Sequence, residues 1–199
     1  MTNLETFRPR SGYIMAFGAF FAISALVYIN IIDYGFRNAA SSIAWGLVVC
    51  SIFYIIFIHP KVIFFDEGLL IINPLHSYKI GWHEIREIDV KFTMFVIHEI
   101  SGAKIHVFVA PAPGRYHART IHASEMRGIK TGDSGTIKAG ESPRSTSGLA
   151  TAIARTKFDQ FQRFNSPGTI DFEYNFNKRA LYIFSALLVV AVIAQILHP

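Results

Sequence analysis

The sequence predicts a mixed α and β membrane protein, in which three membrane-spanning helices carry an inserted antiparallel β domain capped by one amphipathic helix. Three uncharged apolar runs indicate the spans, at residues 13–32, 39–58 and 180–197. Short β-branched and aromatic segments separated by turn residues indicate the β domain. An apolar stripe that recurs every three or four residues indicates the amphipathic helix at 147–165.

The three uncharged runs are long enough to cross a bilayer, since a helix of about 20 apolar residues spans its hydrocarbon core. The chain has 199 residues, of which 51% are hydrophobic and 17% are charged, whereas soluble domains average about 25% charged residues. The first run is also longer than the apolar part of a signal peptide, about 7–15 residues. We therefore expect a tail at 1–12, a transmembrane hairpin at 13–58, a β domain at 59–122, a basic loop at 123–146, the helix at 147–165, a connector at 166–179 and the third span at 180–197.

Basic residues beside the spans predict the orientation, because they favour the cytoplasmic side of a membrane. Five of them flank the spans on one side, whereas Arg37 stands alone on the other side. The five are Arg8, Arg10, Lys61, Lys178 and Arg179. We expect a multi-pass protein of the plasma (inner) membrane, with the N-terminus and residues 59–179 in the cytoplasm and the C-terminus outside.

The β domain is predicted from about six short strands. The first two surround the acidic turn Asp66-Glu67-Gly68, and the last two surround Ser101-Gly102. Between these two hairpins, polar and apolar residues alternate from Glu84 to Lys91, which indicates a further strand. Such a meander is expected to close as a sandwich or a small barrel.

The segment that follows the strands changes in character. Residues 123–146 are polar and rich in glycine, which predicts a loop. After it, Ser147 is the expected N-cap of the helix. The apolar stripe of that helix contains Ala150, Ile153, Ala154, Phe158 and Phe161.

Basic residues are concentrated in this second half of the insert, where they form the candidate contact set for a membrane surface or a protein partner. Near an anionic leaflet each Lys or Arg contributes about 1 kcal/mol of attraction. A merely solvated loop is the alternative, and nucleic acid is not expected because no aromatic residues interleave with the loop to stack bases. The candidate residues are Arg115, Arg119, Arg127, Lys130, Lys138 and Arg144.

Two stretches of the insert resemble a known family. They are the apolar strand with its "DEGL" turn after the second span, and the pattern Ile80-x-Trp82-x-Glu84-Ile85-x-x-Ile88. Together with "APAPGR" at 110–115 they resemble the bacterial PH-domain membrane proteins of actinobacterial type. The resemblance covers about 59–115 and implies a PH-like barrel on a membrane anchor, without an assigned activity. The acidic turn at Asp66-Glu67 argues against the usual binding of phosphoinositides, because it repels phosphate.

The motifs for enzyme chemistry are incomplete, so we predict no catalytic, cofactor-binding or metal-binding residues. His83-Glu84-Ile85-Arg86-Glu87 has Glu87 where the zinc-protease pattern needs a second histidine. His98 and His106 could face each other across a hairpin and bind a metal, but solvent-facing strand positions are the favoured interpretation. The two glycine-rich motifs that bind nucleotide phosphates, G-x-x-x-x-G-K-[ST] and G-x-G-x-x-G, do not occur in the sequence.

The expected function is that of a non-enzymatic, membrane-anchored interaction or scaffold protein whose PH-like domain faces the cytoplasm. Two alternatives remain open: an accessory or assembly subunit of a respiratory or cell-envelope complex, and a module that binds anionic lipid. The expected partners are membrane lipids and other membrane proteins. A homo-oligomer is compatible with the small-residue spacings Gly18-x-x-x-Ala22 and Ser42-x-x-x-Gly46. Trp82, Ile85, Phe158 and Phe161 are expected in the core.

Overall fold

The computed structural model describes residues 4–91, 93–111, 145–164 and 168–197. The chain divides into two compact units. The β unit comprises Met1–Pro9, Lys61–Asn73 and Ser77–Asn175. The helical unit comprises Arg10–Pro60, Pro74–His76 and Phe176–Pro199.

The helical unit contains three long helices: α1 (Arg10–Asn38), α2 (Ala40–Phe53) and α4 (Lys178–Leu197). A π-helical turn, Tyr54–Ile58, extends α2 directly. With this extension, all three helices are long and apolar enough to cross a membrane. The prediction of three membrane-spanning helices is confirmed to that extent. α1 and α4 begin before the predicted runs and α1 also ends later, whereas α2 with its π turn coincides with the second run to within one residue.

The reversal between the first two helices is tighter than predicted. Residues 33–38 were expected to form a loop, but α1 continues to Asn38 and is broken only at Gly35. Gly35 has φ +79°, a conformation that glycine adopts without steric cost. One glycine therefore replaces most of the expected loop.

Small side chains let the three helices approach each other. Ala44 and Val48 of α2 pack against Ala191 of α4. On α2, a methyl group added at Gly46 would lie 3.2 Å from a Val27 methyl group of α1. Gly46 therefore serves contact within the hairpin.

The β unit contains two antiparallel sheets. The first has the order β1-β2-β3-β4-β8, and the second has the order β5-β6-β7. The strands are β1 (Glu5–Phe7), β2 (Lys61–Phe65), β3 (Gly68–Ile72), β4 (His76–Gly81), β5 (Ile85–Val90), β6 (Thr93–His98), β7 (Lys104–Pro111) and β8 (Glu173–Phe176).

The described strands form two sheets and do not close into a barrel. Of the two predicted arrangements, a sandwich and a small barrel, the two-sheet sandwich agrees with these strands and the barrel does not. The short 3-10 turn Trp82–Glu84 separates β4 from β5. Beyond β4, the first sheet continues with β8. Side chains from both sheets nevertheless enter one hydrophobic core.

Two strands lie where the sequence predicted none. β1 is in the predicted N-terminal tail, and β8 is in the predicted connector. They contain three and four residues, too few for alternation to indicate a strand. The neighbouring strands β2 and β4 supply the pairing that makes them extended.

Trp82 lies at the centre of the core, as predicted. Its side chain is fully buried, and its indole N–H donates a hydrogen bond to the carbonyl of Phe65 at 3.1 Å. The ring also contacts Phe158 of helix α3 (Thr146–Arg163), with 6.2 Å between the ring centroids. Phe161 packs against the same core, and Ile85 is buried within it.

The N-cap of α3 differs from the prediction by two residues. The Ser145 hydroxyl accepts a hydrogen bond from the Gly148 backbone N–H at 2.8 Å, which is the interaction that defines a serine N-cap. Ser147, the predicted cap, is inside the helix and fully buried. Both serines precede the apolar stripe, so the sequence pattern alone does not separate them.

Candidate functional site

The candidate site is a groove between strand β1 and helix α3, called here the edge groove. Its volume is about 400 Å³, within the range of about 300–1,000 Å³ that is typical of ligand pockets. One side is formed by Glu5 of β1, and the other side by a single face of α3. The lining residues are Glu5, Ala152, Ile153, Thr156, Lys157 and Gln160.

Strand pairing positions the β1 side of the edge groove. β1 pairs with β2, with Glu5 opposite Phe64, Thr6 opposite Ile63 and Phe7 opposite Val62. β1 is the last strand of its sheet in the part of the chain that the structure describes. Its outer edge therefore carries backbone groups that are available to another extended segment.

Helical spacing positions the α3 side of the edge groove. The five α3 residues are separated by one and three positions, so they share one face of the helix. A neighbouring face, which carries Ala150, Thr151 and Ala154, is buried. Arg155 fixes the helix by donating two hydrogen bonds to the Ile88 carbonyl, at 3.1 and 3.2 Å.

Charge is distributed unevenly along the edge groove. The Lys157 ammonium forms a 3.0 Å ion pair with Asp66, and the Thr156 hydroxyl bonds to the Ala152 carbonyl at 2.8 Å. Glu5 has no ion-pair partner among the described residues. The groove thus presents two apolar side chains, Ala152 and Ile153, and an available carboxylate at Glu5.

The Lys157–Asp66 pair is a contact that the sequence did not indicate. The two residues are 91 positions apart, and no local pattern links a strand turn to a helix so distant. The acidic turn was interpreted as the turn of a hairpin and as repelling phosphate. Its Asp66 also attaches α3 to the β2–β3 hairpin.

The opposite edge of the same sheet is covered by aromatic side chains. The Tyr78 ring of β4 lies 5.3 Å from the Tyr174 ring of β8 and 6.4 Å from that of Phe172, measured between centroids. Burial raises the pKa of Tyr78 above its usual value, with a smaller contribution from the Tyr174 charge. At this edge Lys79 and Glu173 form a 3.0 Å ion pair.

The two candidate histidines do not face each other. His106 pairs with Phe95, and His98 pairs with Ile85. His98 is buried, contrary to the expected solvent-facing position. Its Nδ1 accepts a hydrogen bond from the Ser101 backbone N–H at 3.2 Å.

Metal ligands do not converge in the described part of the chain. No group of three or more His, Cys, Asp or Glu side chains there could hold a metal ion. In the zinc-protease-like segment, residues 82–84 form a 3-10 turn and strand β5 follows. The α-helix that such a site needs is therefore not formed there.

The basic contact set predicted from the sequence lies outside the described residues. It comprises Arg115, Arg119, Arg127, Lys130, Lys138 and Arg144. Glu5 and Gln160 of the edge groove were not expected. Nothing in the three residues of β1 marks them as a sheet edge, and Gln160 lies in a helix whose apolar stripe was the only pattern that the sequence showed.

No protein-family model, no curated protein and no solved structure matches this chain. The geometry of the edge groove and the length and apolar composition of the three helices are therefore the observations that bear on function.

Proposed function

We propose that this protein is a non-enzymatic, membrane-anchored interaction module, and that an extended segment of a partner protein docks in the edge groove. The observation that carries the proposal is the position of α3 beside the outer edge of β1. Main-chain hydrogen bonds to a sheet edge provide affinity in this mode of recognition. Side-chain pockets beside the edge provide specificity.

The lining of the edge groove defines the chemistry of the segment. Ile153 and Ala152 favour an apolar side chain on the segment, and the unpaired carboxylate of Glu5 favours a Lys or Arg. β1 has only three residues, so the backbone pairing is short and the contacts with α3 must add to it. We therefore expect an extended segment with one basic and one apolar anchor.

The proposal is tested by selecting peptides from a phage-displayed random nonapeptide library on the full chain in lipid nanodiscs. We expect enriched peptides to combine a basic and an apolar residue, and to slow hydrogen exchange at the amides of residues 5–7. The variant Ile153→Glu should abolish binding. Glu5→Gln should weaken it by a few-fold, as exposed ion pairs contribute about 0.2–1 kcal/mol.

Ile100→Glu is the matched control, because Ile100 is an apolar residue that is 86% exposed and does not line the groove. This variant should bind the selected peptides as the wild type does. Enriched peptides that tolerate Ile153→Glu, or that protect amides other than those of β1, would contradict the proposal.

We also propose that the β unit has a PH-like arrangement. Two antiparallel sheets around one core, with helix α3 after the last strand of the second sheet, support this assignment. Solid-state NMR contacts between the core side chains of the two sheets, and between those side chains and α3, test it. Sheets whose core side chains do not contact each other, or do not contact Ala150 and Ala154 of α3, would oppose the PH-like arrangement.

The proposed orientation places the β unit in the cytoplasm, at the plasma membrane of a bacterium. The support is the excess of basic residues on one side of the spans. The test uses an impermeant maleimide on spheroplasts, in a Cys50→Ser background. Phe36→Cys, which follows the Gly35 break of α1, should react in intact spheroplasts, and Ile100→Cys only after lysis. The opposite pattern would reverse the orientation.

A further inference from the structure

A second cavity, called here the apolar groove, lies wholly within the helical unit. Its volume is about 270 Å³, and all its lining residues are apolar. Helix α2 and its π turn form the first wall, the residues after β3 form the second, and the first turns of α4 form the third. The lining includes Ile55, Ile56, Pro74, Leu75, Leu181 and Phe184.

Asn177 connects the three walls of the apolar groove. Its backbone N–H donates to the Leu75 carbonyl at 2.8 Å, and its side-chain oxygen accepts from the Ala180 N–H at 3.1 Å. Because that oxygen is an acceptor, the amide nitrogen is the donor to His59 Nε2, at 3.1 Å. The groove is therefore held by directional bonds.

The first wall has an unusual backbone. The π turn Tyr54–Ile58 ends with a hydrogen bond from the His59 N–H to the Tyr54 carbonyl at 2.9 Å. Single π turns inside helices are rare and occur frequently at functional sites. Two of the lining residues, Ile55 and Ile56, belong to this turn.

Two basic residues come directly before the part of α4 that lines the apolar groove. Lys178 and Arg179 directly precede Ala180 and Leu181, which line it. Both side chains are exposed. Neither has an ion-pair partner within the described ranges of the chain. An apolar groove whose α4 wall begins with two unpaired cations is complementary to an amphiphile with an anionic head.

We infer that the apolar groove binds an anionic phospholipid, with an acyl chain against the isoleucine wall and the phosphate at Lys178 and Arg179. A polar ligand or a peptide is disfavoured, because the lining offers no side-chain hydrogen-bond partner. The volume of the apolar groove, about 270 Å³, is below the range of about 300–1,000 Å³ that is usual for ligand pockets. The groove therefore accommodates part of one acyl chain. This site is separate from the edge groove, and either can exist without the other.

The experiment uses the full chain in nanodiscs of equal parts phosphatidylglycerol and phosphatidylcholine, followed by extraction and native mass spectrometry. We expect phosphatidylglycerol to be retained in preference to phosphatidylcholine. Ala180→Trp fills the groove and should remove the adduct. The matched control is Val189→Trp, which adds the same ring at an exposed position of the same helix and should keep the adduct.

The charge contribution is tested separately. Lys178→Gln and Arg179→Gln should each reduce the preference for phosphatidylglycerol about fivefold, since a basic residue near an anionic surface contributes about 1 kcal/mol. Arg37→Gln removes a cation outside the groove and should change nothing.

A second groove variant, Leu75→Asp, keeps the test decisive if Ala180→Trp does not fold. An adduct that persists in a folded groove variant would overturn the inference. A headgroup preference that is unchanged in both the Lys178 and Arg179 variants would overturn the assignment of the phosphate. Peptide binding in the edge groove is expected to be the same in all these variants.

Discussion

The two units of this protein use the same apolar residue types in opposite ways. In the β unit, Trp82, Phe64 and Leu69 are completely buried. In the helical unit, Phe21 of α1 is 79% exposed, and Ile14 and Ile196 are each 73% exposed. Water drives the first pattern by excluding apolar surface. The second pattern is stable only where the surroundings are themselves apolar, because the helices satisfy their own backbone groups and expose hydrocarbon.

This difference teaches that burial alone does not measure the importance of an apolar side chain. In the β unit an aromatic ring is held by specific neighbours, so its removal leaves a cavity. In the helical unit an aromatic ring such as Phe21 contacts the surrounding medium, which can fill the space that its removal leaves. The predictions below exploit that contrast, beginning with the largest expected effect.

Truncation of the core tryptophan should be the most damaging change. We expect Trp82→Ala to lower the free energy of unfolding by about 3–5 kcal/mol, the usual cost of removing a buried aromatic ring. The hydrogen bond to the Phe65 carbonyl is lost as well. Pulse proteolysis of the full chain in detergent and urea measures the change. Phe21→Ala is the control and should cost less than about 1 kcal/mol; equal costs would remove the distinction between the units.

A charge in the first span should act on insertion. Arginine at the centre of a membrane helix costs about 2.5–3.5 kcal/mol, so Phe21→Arg should reduce the inserted fraction in a glycosylation-mapping assay. Ile100→Arg places the same charge at an exposed apolar position of the β unit, where we expect no effect on insertion. Unchanged insertion of Phe21→Arg would show that α1 does not lie in hydrocarbon.

Helix capping should contribute more to stability for α3, which packs on the hydrophobic core of the β unit, than for α2 of the helical unit. Ser145→Ala removes the N-cap bond of α3 and should lower the free energy of unfolding by about 1 kcal/mol. Ser145→Asp should restore it, because aspartate caps equally well. By contrast, α2 has Ala39 at its N-cap, which makes no side-chain hydrogen bond to the helix. Urea denaturation followed by circular dichroism measures the free energy of unfolding of each variant. A free energy of unfolding that is unchanged in Ser145→Ala would disprove the assigned cap.

The smallest effect should appear at alkaline pH. Tyr78 has a pKa raised by burial and by the charge of Tyr174, so the unfolded chain loses this proton first as the pH rises. The contribution to stability is therefore complete below pH ~10, the ordinary value for tyrosine, and is lost as the pH rises through the higher folded pKa. In Tyr78→Phe, the decline of Tm above pH ~10 should be shallower than in the wild type. An identical decline would exclude Tyr78 as its source.

Local sequence patterns are enough to identify the three helices that are long and apolar enough to cross a membrane, and the six central strands. Uncharged runs of about 20 residues have few stable alternatives, and the alternating segments around Asp66-Glu67-Gly68 and Ser101-Gly102 specify hairpins locally. The pattern Ile80-x-Trp82 also marked residues of the core correctly. These features depend on interactions between residues that are near each other in the chain.

Long-range contacts, by contrast, produce the strands β1 and β8, the ion pair between Lys157 and Asp66, and the walls of both grooves. β1 becomes a strand because β2 offers it hydrogen bonds, and the apolar groove exists because Asn177 joins three distant segments. Such contacts arise when the chain closes long loops, and no local periodicity records which segments will meet.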